Sequence, residues 1–177
     1  MQKEHAIKVL KEQDRNGKYI FTNQDLSKLF PDDAFKTFNA GLKRLVKSGI
    51  LKRACRNVYV NEDAKQFNSY AVEHIAKTLR RGEYNYVSLE SMLSEYGIIS
   101  QIPIDRITLM TTGRKGTYNT AYGVIEFTHT KRTVKDILNN TTKINERPLR
   151  MATKQAALRD LKRVGRNLNL VNMDEFV

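Results

Sequence analysis

The spacing of apolar residues between positions 31 and 60 changes once, at Gly49. Before this glycine, apolar residues recur every three or four positions, which is typical of one face of a helix. They are Phe35, Phe38, Leu42, Leu45 and Val46. After Gly49, β-branched and aromatic residues flank a short polar turn around Arg56 and Asn57, a pattern typical of a β-hairpin. We therefore predict a helix, with Asp32 or Asp33 at its N-terminal cap and Gly49 at its end, followed by a hairpin.

The residues before this helix supply three shorter elements. The hydrophobic pattern predicts a helix over 3–13, a strand over 18–22, and a short helix over 24–29 with Asn23 as its cap, which Pro31 forces to end. A short helix, a basic helix and a hairpin in this order are typical of the winged helix-turn-helix, whose second helix enters the DNA major groove. We interpret residues 1–65 as such a DNA-binding domain, with its boundary in the polar stretch 61–65.

The face of the predicted helix opposite its apolar stripe is cationic and has no acidic residue, and basic residues continue along the hairpin. The candidate DNA-binding residues are Lys36, Thr37, Lys43, Arg44, Lys47, Lys52, Arg53 and Arg56. We expect Lys36 and Thr37 to reach base edges, because the N-terminal end of a recognition helix is usually the one in the groove. The others should mainly contact phosphates. The simpler alternative is an ordinary amphipathic helix with solvated lysines.

Residues 66–177 predict a second, mixed α/β domain, so that the whole chain belongs to the α+β class. Helices are expected over 71–81, 89–96, 133–138 and 152–164, and strands over 106–112 and 121–129. The sequence Gly113-Arg114-Lys115-Gly116 between these strands is similar to the GXXG loop with which KH domains bind RNA. That loop joins two helices, however, so we favour a hairpin turn here. Residues 139–147 are expected to form a loop.

The last predicted helix carries a second row of cations. Arg159, Lys162, Arg163 and Arg166 recur at i, i+3, i+4 and i+7, on the side opposite the apolar residues. Like charges at this spacing repel by a few tenths of a kcal/mol per pair, which favours a binding role over a purely structural one. Their partner could be DNA, a toxin or RNA. An RNA-binding module that uses this helix is the main alternative function, and a merely solvated face is the simpler alternative.

Charge is concentrated in two segments of a chain whose net charge is +12. Residues 28–56 contain eight basic and two acidic residues, and residues 147–166 contain seven and one. A strongly basic balance indicates a polyanionic partner. No apolar run approaches the roughly 20 residues of a membrane helix, and the N-terminus lacks the apolar core of a signal peptide. We therefore expect a cytoplasmic protein that does not contact membranes.

The residues that usually carry catalysis or metal binding are few. Cys55 is the only cysteine, which excludes an internal disulfide, and the three histidines have no zinc-ligand spacing. No P-loop, nucleophile elbow or dinucleotide-binding glycine motif is present. A nuclease centred on His129 is a weaker alternative, because this histidine has no partner carboxylate or second histidine, and a histidine at the end of a strand is the simpler interpretation. We expect no enzymatic activity, no metal and no cofactor.

Several short stretches, taken in order, resemble the AbiEi family of antitoxins. They are Arg56-Asn57-Val58-Tyr59-Val60, Ser88-Leu89-Glu90-Ser91, Ser94-Glu95-Tyr96-Gly97-Ile98, Thr111-Thr112-Gly113-Arg114, Ile125-Glu126-Phe127-Thr128-His129 and Ala152-Thr153-Lys154-Gln155-Ala156-Ala157-Leu158. The resemblance spans nearly the whole chain. It implies a winged-helix N-terminal domain and a C-terminal antitoxin domain. It also implies repression of the protein's own type IV toxin–antitoxin operon, linked to abortive infection and phage defence, at an operator with inverted repeats. The implied partner is a nucleotidyltransferase-like toxin, counteracted functionally or by contact.

Overall fold

A computed structural model of the chain describes residues 1–100 and 104–176. The chain divides into two compact units, an N-terminal unit from Met1 to Ala71 and a C-terminal unit that begins at Val72. Each unit contains both helices and a sheet, which confirms the α+β class. Within the described residues, no helix has the length and apolar character needed to cross a bilayer.

The N-terminal unit contains three helices and a small antiparallel sheet. Its elements are α1 (Lys3–Arg15), β1 (Ile20–Thr22), α2 (Asn23–Leu29), α3 (Phe35–Lys47), β2 (Lys52–Cys55) and β3 (Val58–Val60). The strand order is β1-β3-β2. Strands β2 and β3 form the hairpin, and β1 pairs with the other edge of β3. The predicted helices, strand and hairpin are therefore all present, with ends shifted by a few residues.

The core of this unit lies between the helices and the sheet. Its buried members include Ala6, Leu10, Phe21, Leu26, Phe30, Phe38, Leu42, Leu45, Leu51 and Tyr59. Burying one of the leucine or phenylalanine side chains among them contributes about 1.5–3 kcal/mol. The prediction that Phe35 belongs to this core is wrong, since its side chain is 80% exposed. Phe35 is the first residue of α3 and precedes the buried stripe by almost a full turn.

The ends of α2 and α3 differ partly from the predictions. Thr22 caps α2 in place of Asn23, because its hydroxyl accepts from the Asp25 amide while the Asp25 carboxylate accepts from the Thr22 amide. The N-cap of α3 is Ala34, which has no side-chain hydrogen bond, and Oδ1 of Asp33 lies instead 2.7 Å from the amino group of Met1. Gly49 ends the helix with φ of 75°, as predicted.

The C-terminal unit contains a six-stranded mixed sheet with helices packed on it. Its elements are α4 (Ala71–Leu79), β4 (Asn85–Val87), α5 (Leu89–Glu95), β5 (Arg106–Thr111), β6 (Gly116–Thr120), β7 (Gly123–His129), α6 (Val134–Asn139), β8 (Thr141–Lys143), β9 (Arg150–Ala152) and α7 (Lys154–Val164). The strand order is β6-β7-β5-β4-β9-β8. The pairs β5–β7 and β4–β9 are parallel, and the other neighbours are antiparallel.

Two predictions for this unit are wrong. The segment 113–116 is not a hairpin turn, because it leads from β5 to β6 and these two strands have β7 between them. The hairpin joins β6 to β7 instead, where Thr120 pairs with Gly123. The expected loop 139–147 contains strand β8. Strands of three to five residues with polar side chains give too little periodicity to be recognised in sequence.

A buried carboxylate holds α7 against this sheet. Asp160 is fully buried and accepts hydrogen bonds from the Tyr86 hydroxyl at 3.1 Å and the Ser88 hydroxyl at 2.9 Å. The Arg132 guanidinium lies 3.2 Å from its other oxygen and supplies the opposite charge. Burial and the negative charge of Asp160 both raise the pKa of the Tyr86 phenol, so the phenol remains a donor. Asp160 thus connects α7 with β4 and with the segment after β7.

Candidate functional site

All eight residues predicted to bind DNA lie on the surface of the N-terminal unit. Lys36, Thr37, Lys43, Arg44 and Lys47 are exposed along α3, and Lys52, Arg53 and Arg56 are exposed along the hairpin. The opposite side of α3 is held by Phe38, Leu42 and Leu45, which are at most 4% exposed. Because the buried stripe fixes the rotation of the helix, its cations must face solvent. We call these eight residues the α3–hairpin surface.

Most cations of the α3–hairpin surface have no acidic partner. Within the described part of the chain, Lys36, Lys43, Lys47 and Arg56 have no ion pair or side-chain hydrogen bond. The Arg44 guanidinium donates to the Met1 carbonyl at 3.2 Å, which orients the side chain without neutralising it. Lys52 is the exception, since its ammonium lies 3.1 Å from a carboxylate oxygen of Glu62. This arrangement leaves a row of positive charges available to an anionic ligand.

The predicted second basic patch on α7 has a different environment. The Arg159 guanidinium lies 3.2 Å from Asp136, and the Arg163 guanidinium donates to the His129 carbonyl at 2.8 Å. Arg166 contacts two carboxylates, Glu90 at 2.7 Å and Glu126. Lys162 is exposed and, among the described residues, has no side-chain partner. The expected row of solvated cations therefore consists mainly of side chains with intramolecular partners.

The pairing of Arg166 with Glu90 changes the titration of the carboxylate. Glu90 is only 4% exposed, and burial by itself would raise its pKa. Hydrogen bonds from Arg166 and Asn167 outweigh burial and hold the pKa of Glu90 below its ordinary value. Glu90 is therefore charged at neutral pH, and Arg166 is the counter-ion that makes its burial tolerable.

A third basic region, which the sequence analysis did not identify, lies at one edge of the C-terminal sheet. The parallel strands β5 and β7 end there, with Thr111 opposite His129, and β4 begins there, with Asn85 opposite Thr111. The segments 79–83 and 112–115 approach each other beyond these strand ends and enclose a cleft of about 800 Å³. Its lining residues are Leu79, Arg80, Arg81, Glu83, Thr112, Gly113, Arg114, Lys115 and His129. We call it the strand-end cleft.

Arg80 is held rigidly in this cleft. Its guanidinium carbon lies 4.4 Å from the centre of the Phe127 ring and 5.1 Å from that of Tyr118. Its Nε donates to the Arg114 carbonyl at 2.9 Å, and Nη1 donates to the Leu79 carbonyl and the Tyr118 hydroxyl. Stacking on aromatic rings and these hydrogen bonds fix the plane of the guanidinium.

The loop with Arg114 and Lys115 lies directly against Arg80 because glycines flank it. A Cβ at Gly113 would be 2.9 Å from Cγ of Glu83 and 3.2 Å from Cδ of Arg80, so a larger residue here would require these two side chains to shift. Nδ1 of His129 donates to the Gly113 carbonyl at 2.8 Å, which joins the loop to the end of β7. The loop joins two strands, so it does not have the helix-to-helix setting of a KH loop.

His129 and Glu83 both line the strand-end cleft, but each has another partner. His129 is bonded to the loop backbone, and the Glu83 carboxylate accepts from the Thr112 hydroxyl at 2.6 Å. Neither the cleft nor any other part of the described chain contains three histidine, cysteine or acidic side chains placed to hold a metal ion.

A signal for the cleft exists in the sequence as two basic pairs, Arg80-Arg81 and Arg114-Lys115, each shortly after the end of an element. No protein-family model matches the chain, and no curated protein has significant sequence similarity to it.

Proposed function

We propose that the N-terminal unit is a winged helix-turn-helix domain and that the protein is a DNA-binding transcriptional repressor. The observation that carries this proposal is the α3–hairpin surface, where cations of one helix and of the following hairpin are exposed while the opposite helix face is buried. The element order, with β1 pairing beside the hairpin, is compatible with the winged variant.

The roles of individual side chains follow from their positions along α3. The helix has 13 residues and is about 20 Å long, long enough to lie in a major groove. Lys36 and Thr37 in its first turn are proposed to contact base edges. Lys43, Arg44, Lys47, Lys52, Arg53 and Arg56 are proposed to contact phosphates. The ion pair with Glu62 makes Lys52 the weakest of these contacts, since the pair must open first.

The test is a gel-shift titration with duplex DNA from upstream of the protein's own gene, beside a random duplex. If roughly 4–6 phosphates are contacted per protomer, log K should fall with log salt concentration with a slope of about −4 to −5. The double variant Lys36→Ala/Lys43→Ala should lose operator binding. The matched control is Lys8→Ala/Lys11→Ala, which removes the same charge from exposed positions on α1. A flat salt titration, or equal losses in both double variants, would rule the proposal out.

The operator is proposed to contain inverted repeats. If two protomers bind together, the half-sites should be about 34–36 Å apart, or a multiple of this distance, because each recognition helix must face the same side of the duplex. A hydroxyl-radical footprint of the upstream duplex measures this spacing directly. A single protected half-site at all protein concentrations would contradict cooperative binding.

The second part of the proposal is an antitoxin role for the C-terminal unit, and it is supported by the resemblance to AbiEi antitoxins. The protein would act in the cytoplasm against a nucleotidyltransferase-like toxin, by contact or through its effect on the toxin's substrate. The test is growth rescue in cells that express such a toxin from the adjacent gene. Lys36→Ala/Lys43→Ala, expressed from a foreign promoter, should rescue growth although it no longer represses. Failure of the wild-type chain to rescue would contradict the antitoxin role and leave the repressor role standing.

A further inference from the structure

The N-terminal unit exposes one of its phenylalanines at the start of α3. The Phe35 side chain is 80% exposed, whereas those of Phe21, Phe30 and Phe38 in the same unit are at most 5% exposed. A phenylalanine left in water forgoes the stabilisation that its burial would give. The fold of this unit therefore gains little from the Phe35 ring, and the ring is available for a contact with another molecule.

Phe35 borders the α3–hairpin surface. Lys36 and Thr37, the two residues proposed to contact base edges, follow it directly and are exposed. At 100° per residue, Phe35 lies on the flank of α3, between the cationic face and the buried stripe. Helical side chains lean toward the N-terminus of their helix, and Ala34 before it is small. We therefore expect the ring to project at the end of α3 that is proposed to enter the groove.

The first turn of α3 holds the backbone of Phe35 in a fixed position. The Phe38 amide donates to the Ala34 carbonyl at 2.9 Å, and the Phe38 side chain is 4% exposed. The Asn39 side-chain amide donates to the Phe35 carbonyl at 3.0 Å. The exposed ring is thus carried by a turn that is anchored in the core, and a contact made by the ring requires little ordering of the backbone.

The charges around Phe35 indicate what its ring contacts. Among the described residues, Lys36 and Lys43 have no ion-pair partner, and α3 contains no acidic residue. An apolar protein surface that covered Phe35 would also have to remove water from these lysines, which is costly. Duplex DNA supplies phosphates for them. Its major groove also exposes an apolar group that phenylalanine can contact, the 5-methyl group of thymine.

We propose that the Phe35 ring contacts the 5-methyl group of a thymine in each operator half-site and thereby contributes to the choice of DNA sequence. This inference rests on the proposed repressor function and adds a base contact to it. Polar side chains such as Lys36 and Thr37 read hydrogen-bonding groups on base edges, whereas the methyl group distinguishes thymine from cytosine by an apolar contact. Since no phosphate is involved, the contact should favour the operator over other duplexes.

The first test measures fluorescence anisotropy of labelled operator and random duplexes with the full chain. Phe35→Ala should weaken operator binding on the order of tenfold, because the apolar contact is lost. Binding to the random duplex and the salt slope should stay unchanged, because the phosphate contacts remain. Thermal melting should also stay unchanged, since the ring is already exposed. If Phe35→Ala binds the operator like wild type, or weakens both duplexes equally, the proposal is wrong.

The matched control for this variant is Leu138→Ala. It removes a side chain that is 43% exposed on α6, in the C-terminal unit, and should bind both duplexes like wild type. An equal loss of operator binding in Phe35→Ala and Leu138→Ala would show a general effect of exposed apolar side chains and would overturn the proposal.

The second test removes the methyl group from the DNA. Deoxyuridine pairs like thymidine but lacks the methyl group, so each thymine of a half-site is replaced in turn. Wild type should lose about fourfold in affinity at one position of each half-site, as expected for one buried methyl group. Phe35→Ala should lose nothing further there, because the two changes remove the same contact. An equal loss in both proteins, or no sensitive thymine, would contradict the proposal.

The remaining outcomes separate this inference from its alternatives. If Phe35→Ala changes the oligomeric state of the free protein in sedimentation equilibrium, the ring is buried between two copies and the proposal is wrong. If wild type does not prefer the operator to the random duplex, the repressor proposal and this inference both fail. If wild type prefers the operator and Lys36→Ala/Lys43→Ala loses it, but Phe35→Ala does not, only the inference about Phe35 fails.

Discussion

Helices α3 and α7 each carry a row of cations, and the two rows differ in what lies around them. In α3 the side chains of Lys36, Lys43 and Lys47 have no partner within the described residues. In α7, Arg159 and Arg166 contact carboxylates. Two similar patterns in the sequence therefore correspond to an accessible surface in one helix and to internal ion pairs in the other.

The difference arises from residues that are distant in sequence. Glu90 lies 76 residues before Arg166, and Asp136 lies 23 residues before Arg159. A helical wheel shows which cations share a face but not which other elements approach that face. The repulsion expected within the α7 row is offset by carboxylates from α5, α6 and β7.

The two rows of cations should differ most in how much a single member contributes to the stability of its own unit. Arg166→Ala removes the counter-ion of the buried Glu90, and breaking a buried ion pair in this way costs roughly 3–5 kcal/mol. Because the Arg166 side chain is 36% exposed, we expect about 2 kcal/mol for the C-terminal unit. Lys47→Ala in α3 should change the stability of the N-terminal unit by less than about 0.5 kcal/mol.

The measurement is pulsed hydrogen exchange through a urea titration, with the peptides of each unit followed separately by mass. The alternative Arg166→Met keeps much of the side-chain packing and still removes the charge. If Arg166→Met is as stable as wild type, the ion pair is not what holds the end of α7, and the comparison fails.

A smaller effect is expected on the stability of the C-terminal unit at low pH. The pKa of Glu90 is lowered in the folded state from its ordinary value of 4.5, so its charged form stabilises the fold. This contribution is complete above the unfolded-state pKa and is lost as pH falls through the folded-state pKa. The C-terminal unit should therefore become less stable below about pH 4.5, and Glu90→Gln should show a weaker dependence on pH. Urea midpoints between pH 3 and 6 test this, and parallel curves for both proteins would disprove it.

The smallest expected effect is that of Lys162→Ala. Lys162 is the member of the α7 row whose side chain is exposed and has no partner in the described residues, so it resembles the lysines of α3. Its replacement should change stability by less than about 0.5 kcal/mol, typical of surface positions. A thermal melt compared with that of Arg159→Ala, which loses the contact with Asp136, would show whether the two positions differ.

Sequence reasoning was most successful where contacts are local. The helix α3 and the hairpin after it were predicted because the apolar spacing and Gly49 act within a few residues. The strand-end cleft was missed because its cations come from segments separated by more than 30 residues. The parallel pairing of β5 with β7 brings Thr111 and the following Gly113 next to His129, and no local pattern encodes that pairing.

The buried Asp160 limits how the C-terminal unit can come apart. Moving α7 away from the sheet would break the two hydrogen bonds from Tyr86 and Ser88 to Asp160 and its contact with Arg132 together. Partial detachment of this helix is therefore suppressed, and α7 and β4 should open in one cooperative step. A partner that acts on this unit would meet a surface that stays in place, and binding would require little reorganisation of the helix.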